Sequence, residues 1–211
     1  MRPTVSEVLL ATRSQGKRRE LRPLFAARGI RVVDLADAGI AESGAEDSLE
    51  VHDSFEENAL AKARYFHQLS GRPTVGDDSG LVVDALGGQP GVHSKRWSGR
   101  DDLRGIALDE ENNRLLLDRL GGVGDRRAHY VCVAAYVDGE RELTRRGEVR
   151  GRIVERGSGT NGFGYDPLFF SDELGRTFGD ATREEKEYVS HRGRAFRGLL
   201  AALDEATCAE G

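Results

Sequence analysis

Two periods of apolar residues alternate along the chain. Val8-Leu9-Leu10-Ala11 is an unbroken apolar run of strand length, and from Lys17 to Ala27 the positions Leu21, Leu24 and Phe25 follow helical spacing until Gly29 stops them. Ile30 to Leu35 predicts a second strand. Strand, loop, helix and strand over about 30 residues is the size of a βαβ unit, whose crossover makes its two strands parallel. Ser54 then precedes Phe55, Ala59, Ala63 and Phe66 at helical steps and forms a Ser-x-x-Glu capping box with Glu57, which predicts a helix from Phe55 to Leu69. Pro73 to Val75 and Leu81 to Val83 read as strand fragments around the glycine-flanked turn Gly76-Asp77-Asp78-Ser79-Gly80, which sets an acidic loop at a strand edge. Gly87-Gly88-Gln89-Pro90-Gly91 reads as a turn-rich loop. Asp102 to Leu120 has the pattern of an amphipathic helix, and Ala128 to Tyr136, Asp138-Gly139 and Glu142 to Val154 that of a hairpin with a long second arm. The expected fold is α/β, a mixed sheet with flanking helices. Residues 1–211 read as a single continuous domain, since no repeat, low-complexity tract or linker interrupts them.

Length and charge narrow what such a fold can do. A chain of 211 residues with 38% hydrophobic content suits one globular unit of one or two lobes. No apolar run approaches the roughly 18 residues of a membrane span. The start, Met1-Arg2-Pro3-Thr4, leads into a strand-like segment instead of a signal-peptide core, so a cytoplasmic location without membrane contact is expected. Cys132, in an apolar stretch, and Cys208, in the tail, have no metal-ligand spacing and no disulfide framework, in keeping with a reducing compartment. A net charge of -5 opposes a broad grip on polymeric nucleic acid but permits a local basic pocket for a small polyanion.

Candidate chemistry gathers at five places. Thr12-Arg13-Ser14-Gln15-Gly16-Lys17 joins a strand to a helix, so helix-start amides and the Lys17 ammonium can converge on an anion. It is not a Walker loop, because the first glycine is missing and Arg18 follows the lysine; an ordinary polar turn is the other reading. In Asp77-Asp78-Ser79, adjacent carboxylates can face different ways, one toward a metal or water and one toward backbone donors, or the triplet can cap its own surface loop. Lys62 sits beside Ala59 and Ala63, small neighbours that leave room for a phosphate if the lysine does not snorkel outward. Gly159-Thr160-Asn161-Gly162-Phe163-Gly164-Tyr165-Asp166-Pro167 combines two aromatics, a carboxylate and glycines that allow close backbone approach. That suits a stacked planar base, unless the aromatics fill core. Ser190-His191-Arg192-Gly193 precedes the amphipathic run Ala195 to Leu203, and Ser190 either caps that helix or lies inside one longer one.

Taken together, these motifs resemble the inosine/xanthosine triphosphate pyrophosphatases, enzymes that remove noncanonical purine nucleotides. The likeness spans nearly the whole chain and rests on Leu10-Ala11-Thr12 with Gly16-Lys17, Ser54 to Ala63, Asp77-Asp78-Ser79-Gly80-Leu81, Phe163 to Pro167 and Ser190 to Gly193. It implies an elongated two-lobed α/β fold, an active-site cleft between the lobes, a homodimer and magnesium as cofactor. It further implies that Thr12, Arg13, Ser14, Gln15, Gly16 and Lys17 hold the triphosphate and that Lys62 faces a phosphate. Asp78 takes the place of the general base and metal ligand, with Ser79 a substrate contact beside it. Phe163, Gly164, Tyr165 and Asp166 match the base-stacking and sugar-side loop; Lys186, His191 and Arg192 match the groups that read the purine. Glu50, twelve residues before Lys62, aligns with the second metal-binding carboxylate, with Glu46 and Asp53 as substitutes. Members commonly carry an Asn in the first loop where Arg13 or Ser14 stands, so one phosphate donor differs.

The implied reaction is hydrolysis of a purine triphosphate to monophosphate and pyrophosphate. A phosphotransferase is disfavoured by the missing Walker residues, and a nucleotide sensor would keep the pocket without turnover.

Overall fold

The computed structural model describes residues 5–208, with side chains described to Glu205; the readings made on Met1-Arg2-Pro3-Thr4 and on the Cys208 side chain lie outside the described residues. Seven strands form one mixed sheet in the order β2-β1-β3-β4-β5-β6-β7. They are β1 (Glu7–Leu10), β2 (Arg31–Asp34), β3 (Thr74–Val83), β4 (Arg127–Val137), β5 (Glu142–Ile153), β6 (Phe169–Ser171) and β7 (Arg176–Thr177). Among the described residues five α-helices accompany them: α1 (Gln15–Ala26), α2 (Phe55–Ser70), α3 (Gly105–Arg119), α4 (Arg183–Val189) and α5 (His191–Cys208). As the βαβ pattern requires, β1 runs parallel to β2, with Leu10 opposite Asp34, and also parallel to β3, with Leu10 opposite Val75. The antiparallel pairs β5-β6 and β6-β7 make the sheet mixed. Among the described residues no helix is long and apolar enough to cross a membrane.

The chain divides into two compact units. The first holds the residues up to Asp78, Cys132–Gly147 and those from Arg192 onward; the second holds Ser79–Val131 and Glu148–His191. The chain passes from one unit to the other within β3, β4 and β5 and between His191 and Arg192 at the start of α5.

In the first unit the strands are buried on both faces, which is why they read as continuous apolar runs instead of alternating ones. Val8 and Leu10 of β1 and Cys132, Ala134 and Tyr136 of β4 pack with Leu21 and Phe25 of α1 and Phe196, Leu199 and Leu203 of α5. The alternate residues face elsewhere. Leu9 and Ala11 meet Val33, Leu49 and Phe66, whereas Val133, Ala135 and Val137 meet Ala59 and Ala63 of α2. In the second unit Leu81, Val83, Tyr130, Val149, Phe169 and Phe178 form the core with Leu116 of α3 and Leu120 just after it.

Helix starts follow their caps. Ser14 Oγ accepts from the Lys17 N–H, Ser54 Oγ from the Glu57 N–H, and Thr182 and Glu185 close a full capping box on α4. Ser190 is extended, so α4 and α5 are separate helices and not one long one.

The acidic turn is corrected. Gly76-Asp77-Asp78-Ser79-Gly80 lies inside β3, a continuous ten-residue strand. Its glycines serve close packing, not chain reversal. A Cβ on Gly76 would stand 3.0 Å from the Ala59 carbonyl oxygen, and one on Gly80 would overlap the carbonyl oxygen of Gly91 and the Ser94 hydroxyl. A strand can carry two adjacent aspartates through a buried sheet because every second side chain faces the same way, so the pair points to opposite faces where separate cations meet it.

Candidate active site

Asp78 is buried at the end of the first unit's share of β3. Its two oxygens are taken by α2: Lys62 Nζ lies 3.2 Å from Oδ1 and Asn58 Nδ2 donates to Oδ2 at 3.1 Å. Asn58 and Lys62 are one helical turn apart and so share a face. Asn58 also clasps His52, accepting its N–H at 3.0 Å and donating to its carbonyl at 3.1 Å. Lys62 Nζ makes a second ion pair, 2.8 Å from Glu50 Oε1, at the end of the 3-10 turn Gly44–Glu50. One ammonium thus gathers two carboxylates. Burial by itself would lower the Lys62 pKa, but Asp78, Glu50 and Asp77 outweigh it and hold the lysine charged above its ordinary value. Burial raises the Asp78 carboxyl above the ordinary aspartate value, with Lys62 and Lys17 pulling the other way.

Asp77 is treated oppositely. Its Oδ2 lies 3.0 Å from Lys17 Nζ and 3.2 Å from Arg192 Nε, and the buried Cys132 thiol is 3.7 Å away. Burial would raise its pKa, yet Lys17, Arg192 and Lys62 together drive it well below the carboxylate range. Arg192 is anchored further by Glu20, whose Oε2 lies 2.5 Å from Nη1. Burial likewise pushes the Cys132 thiol up, which keeps it protonated. Two neighbouring aspartates therefore have separate electrostatic lives, one a permanent anion among cations and one a carboxylate with raised proton affinity.

The first loop folds as a helix start. The Ser14 N–H donates to Thr12 Oγ1 at 3.2 Å, and Gln15, Gly16 and Lys17 form the first turn of α1. Arg13 turns away to a bidentate pair with Glu46, at 2.7 and 3.2 Å, and to the Ile40 carbonyl. Glu46 is thereby committed to Arg13 and Asp53 is exposed, so of the three candidate second carboxylates it is Glu50 that stands at Lys62.

In the second unit Asp166 Oδ2 accepts from the Phe163 N–H at 2.8 Å and from Lys186 Nζ at 2.5 Å. Lys186 Nζ stands 5.0 Å from the Phe163 ring centroid. Gly162 has φ +77°, and a Cβ there would overlap the Asp166 carboxylate. Tyr165 is a core residue whose hydroxyl donates to the Ser94 carbonyl at 2.8 Å, so of the two aromatics Phe163 is the partly exposed one. The buried His191 ring stacks on Tyr130, 4.5 Å between centroids and 8° from parallel. Ser79 opens this unit on β3.

Lys186 and His191 belong to the second unit, and Arg192 belongs to the first, paired with Asp77 and Glu20. Successive residues on a helix point about 100° apart, which sends His191 and Arg192 different ways from the first turn of α5. Two participants escaped the sequence reading. Asn58 lies inside the Ser54 to Ala63 motif, one turn before Lys62; Glu20 lies one turn after Lys17 on α1.

Among the described residues no group of three or more His, Cys, Asp or Glu side chains could hold a metal ion. Glu50 and Asp78 offer two hard oxygen donors at one cation, the donor set magnesium takes when substrate phosphates and water supply the rest.

The Ham1 family model matches residues 8–202. A protein of Frankia alni named dITP/XTP pyrophosphatase is 46% identical over 204 residues, covering 94% of this chain and 97% of its own. One of the same name from Aromatoleum aromaticum is 45% identical over 204 residues, 95% of this chain and 98% of its own. The solved structure of the Staphylococcus aureus Ham1 protein superposes with a TM-score of 0.79 at 33% identity, covering 95% of this chain and 99% of that one.

Proposed function

This chain belongs to the Ham1 family, and on that premise we propose that it hydrolyses noncanonical purine nucleoside triphosphates, those of inosine, deoxyinosine and xanthosine, to the monophosphate and pyrophosphate. The observation that carries the reading is the divergence of Asp77 and Asp78. Asp78 has Lys62 and Asn58 on its two oxygens, with burial raising its proton affinity as a general base requires, whereas Asp77 pairs with Lys17 and Arg192, stays charged and holds them in place.

In this reading the helix start from Thr12 to Lys17, with Lys62, takes the negative charge of the triphosphate. Asp78 orients a water and accepts its proton as the water oxygen bonds to the α-phosphorus. The bond from that phosphorus to the bridging oxygen breaks, and pyrophosphate leaves. Asn58 and Lys62, each on one Asp78 oxygen, fix the plane of the carboxylate. Glu50 and Asp78 would hold magnesium, which when bound neutralises phosphate charge and polarises the phosphoryl oxygens.

Phe163 supplies a face for the base and Asp166 fixes the loop through the Phe163 N–H, with Ser79 and Gly164 on the sugar side and the buried Tyr165 holding the loop to the Ser94 carbonyl. Lys186, His191 and Arg192 supply donors for a 6-oxo group. Adenine turns a 6-amino group toward those donors, and a buried donor left without an acceptor costs about 1–3 kcal/mol, roughly 10–100-fold in kcat/KM. In this reading residues 1–211 act as a single catalytic domain. The homodimer and the cytoplasmic location implied by the resemblance belong to the same reading.

The test is incubation with dITP, XTP and dATP in magnesium, with pyrophosphate and orthophosphate measured separately. Pyrophosphate from dITP and XTP, with dATP at least about tenfold slower, is expected. Orthophosphate as first product, or equal rates on dITP and dATP, contradicts the reading.

A further inference from the structure

Helix α3 carries none of the five motifs, yet two of its side chains grip the aromatic loop. Asp109 Oδ2 accepts from the Gly164 N–H at 2.8 Å, and Asn113 Nδ2 donates to the Gly164 carbonyl at 3.0 Å. The two are four residues apart and so share one helix face. Gly164 has φ +63°, and a Cβ there would meet nothing within 4 Å, so glycine is required for its left-handed backbone and not for space. Gly159 to Gly162 before it are exposed. The residue before Asn113 on α3 repeats the device on a second loop. Asn112 Oδ1 accepts from the Ser98 N–H at 2.9 Å, and its Nδ2 donates to the Lys95 carbonyl at 3.1 Å.

We propose that Asp109 and Asn113 are positioning residues that set the Phe163-Gly164 loop for the purine before the substrate arrives, an inference resting on the reading of Phe163 as the stacking face. A glycine-rich loop left to itself samples many backbone states, and ordering it on binding would raise KM. With both ends of the Gly164 unit fixed to a helix, that ordering is made during folding. The Phe163 ring then stands beside Lys186 in its working position. Burial raises the Asp109 carboxyl above its ordinary value, with the Gly164 N–H and Lys95 opposing. A carboxylate spread on a solvated helix face would not be so taken out of water.

The experiment uses the full chain with dITP and magnesium. Asp109→Ala should raise KM about tenfold with kcat changed less than about threefold, while Asp109→Asn, which keeps an oxygen for the Gly164 N–H, should stay within about threefold of the unmodified KM. In a Phe163→Ala background Asp109→Ala should add nothing further, because the clamp acts through that ring. Backbone hydrogen exchange over residues 159–166 should quicken in Asp109→Ala and not in Asp109→Asn. Should Asp109→Ala not fold, Asn113→Ala, which removes only the grip on the carbonyl, is read the same way and should shift in the same direction by less. If Phe163→Ala raises KM and the clamp variants do not, the clamp is overturned. If Phe163→Ala leaves KM unchanged, the stacking reading falls instead, and unaccelerated exchange in Asp109→Ala then overturns the clamp on its own.

Discussion

Lys62 Nζ stands 3.2 Å from Asp78 Oδ1, both side chains buried, and its second partner, Glu50, lies 2.8 Å away. Removing the lysine would leave the buried Asp78 carboxylate without its nearest cation and beside the half-buried Glu50. Breaking a buried pair from one side costs about 3–5 kcal/mol, chiefly the burden of the charge left behind. Lys62→Met is therefore expected to lose stability on that scale in urea unfolding and to lose turnover as well. A loss under about 1 kcal/mol would show that Asp78 and Glu50 do not depend on it.

Glycine at position 80 is set by a neighbour's backbone. A methyl group there would overlap the Gly91 carbonyl oxygen and the Ser94 hydroxyl, which accepts from the Leu81 N–H at 2.8 Å. Backbone cannot step aside as a flexible side chain can, so Gly80→Ala should destabilise by about 3 kcal/mol. Gly76→Ala, whose Cβ would stand 3.0 Å from the Ala59 carbonyl, should cost about 1 kcal/mol. Thermal unfolding of the two variants side by side checks the order, and equal losses would refute it.

The hairpin between β4 and β5 should show a pH signature. Asp138 accepts from the N–H groups of Glu140 and Arg141, at 3.1 and 2.8 Å, and pairs with the Arg141 guanidinium at 2.6 Å. Burial pushes its pKa up, but the Arg141 bonds and the Tyr136 hydroxyl outweigh that and hold it below the ordinary value. A depressed carboxyl contributes stability that is complete above the unfolded-state value of about 3.9 and is lost as pH falls through the lower folded value. Asp138→Asn should thus be less stable than the unmodified chain at pH 7 by about 1 kcal/mol, with the gap closing below about pH 4. A gap constant from pH 7 to pH 3 would contradict this origin.

Much of this was legible in the sequence, for physical reasons that differ from element to element. The βαβ start and α2 declare themselves because their apolar spacing and serine caps are local signals, and the structure has them within a residue or so of the expected bounds. The β3 segment misled because glycine signals a turn or a close approach with the same letter, and only the positions of Ala59 and Gly91 tell which. Strands β6 and β7, of three and two residues, are too short to show a period at all. Asn58, Glu20 and the Asp109-Asn113 pair act through partners 20 to 172 residues away, and nothing in a local pattern marks them.

The role of Asp78 is tested most directly by turnover and binding of dITP in Asp78→Asn, measured on the same preparation. The substitution removes a charge and almost no volume; the new amide keeps an oxygen for Lys62, while the Asn58 amide donor then faces an NH2 group and loses its acceptor. Pyrophosphate release should fall to well under a tenth of the unmodified kcat, while dITP binding measured by calorimetry stays within a few-fold and the fold melts cooperatively. A variant that keeps more than about a tenth of kcat, a barrier change under about 1.4 kcal/mol, would show that Asp78 is not the base.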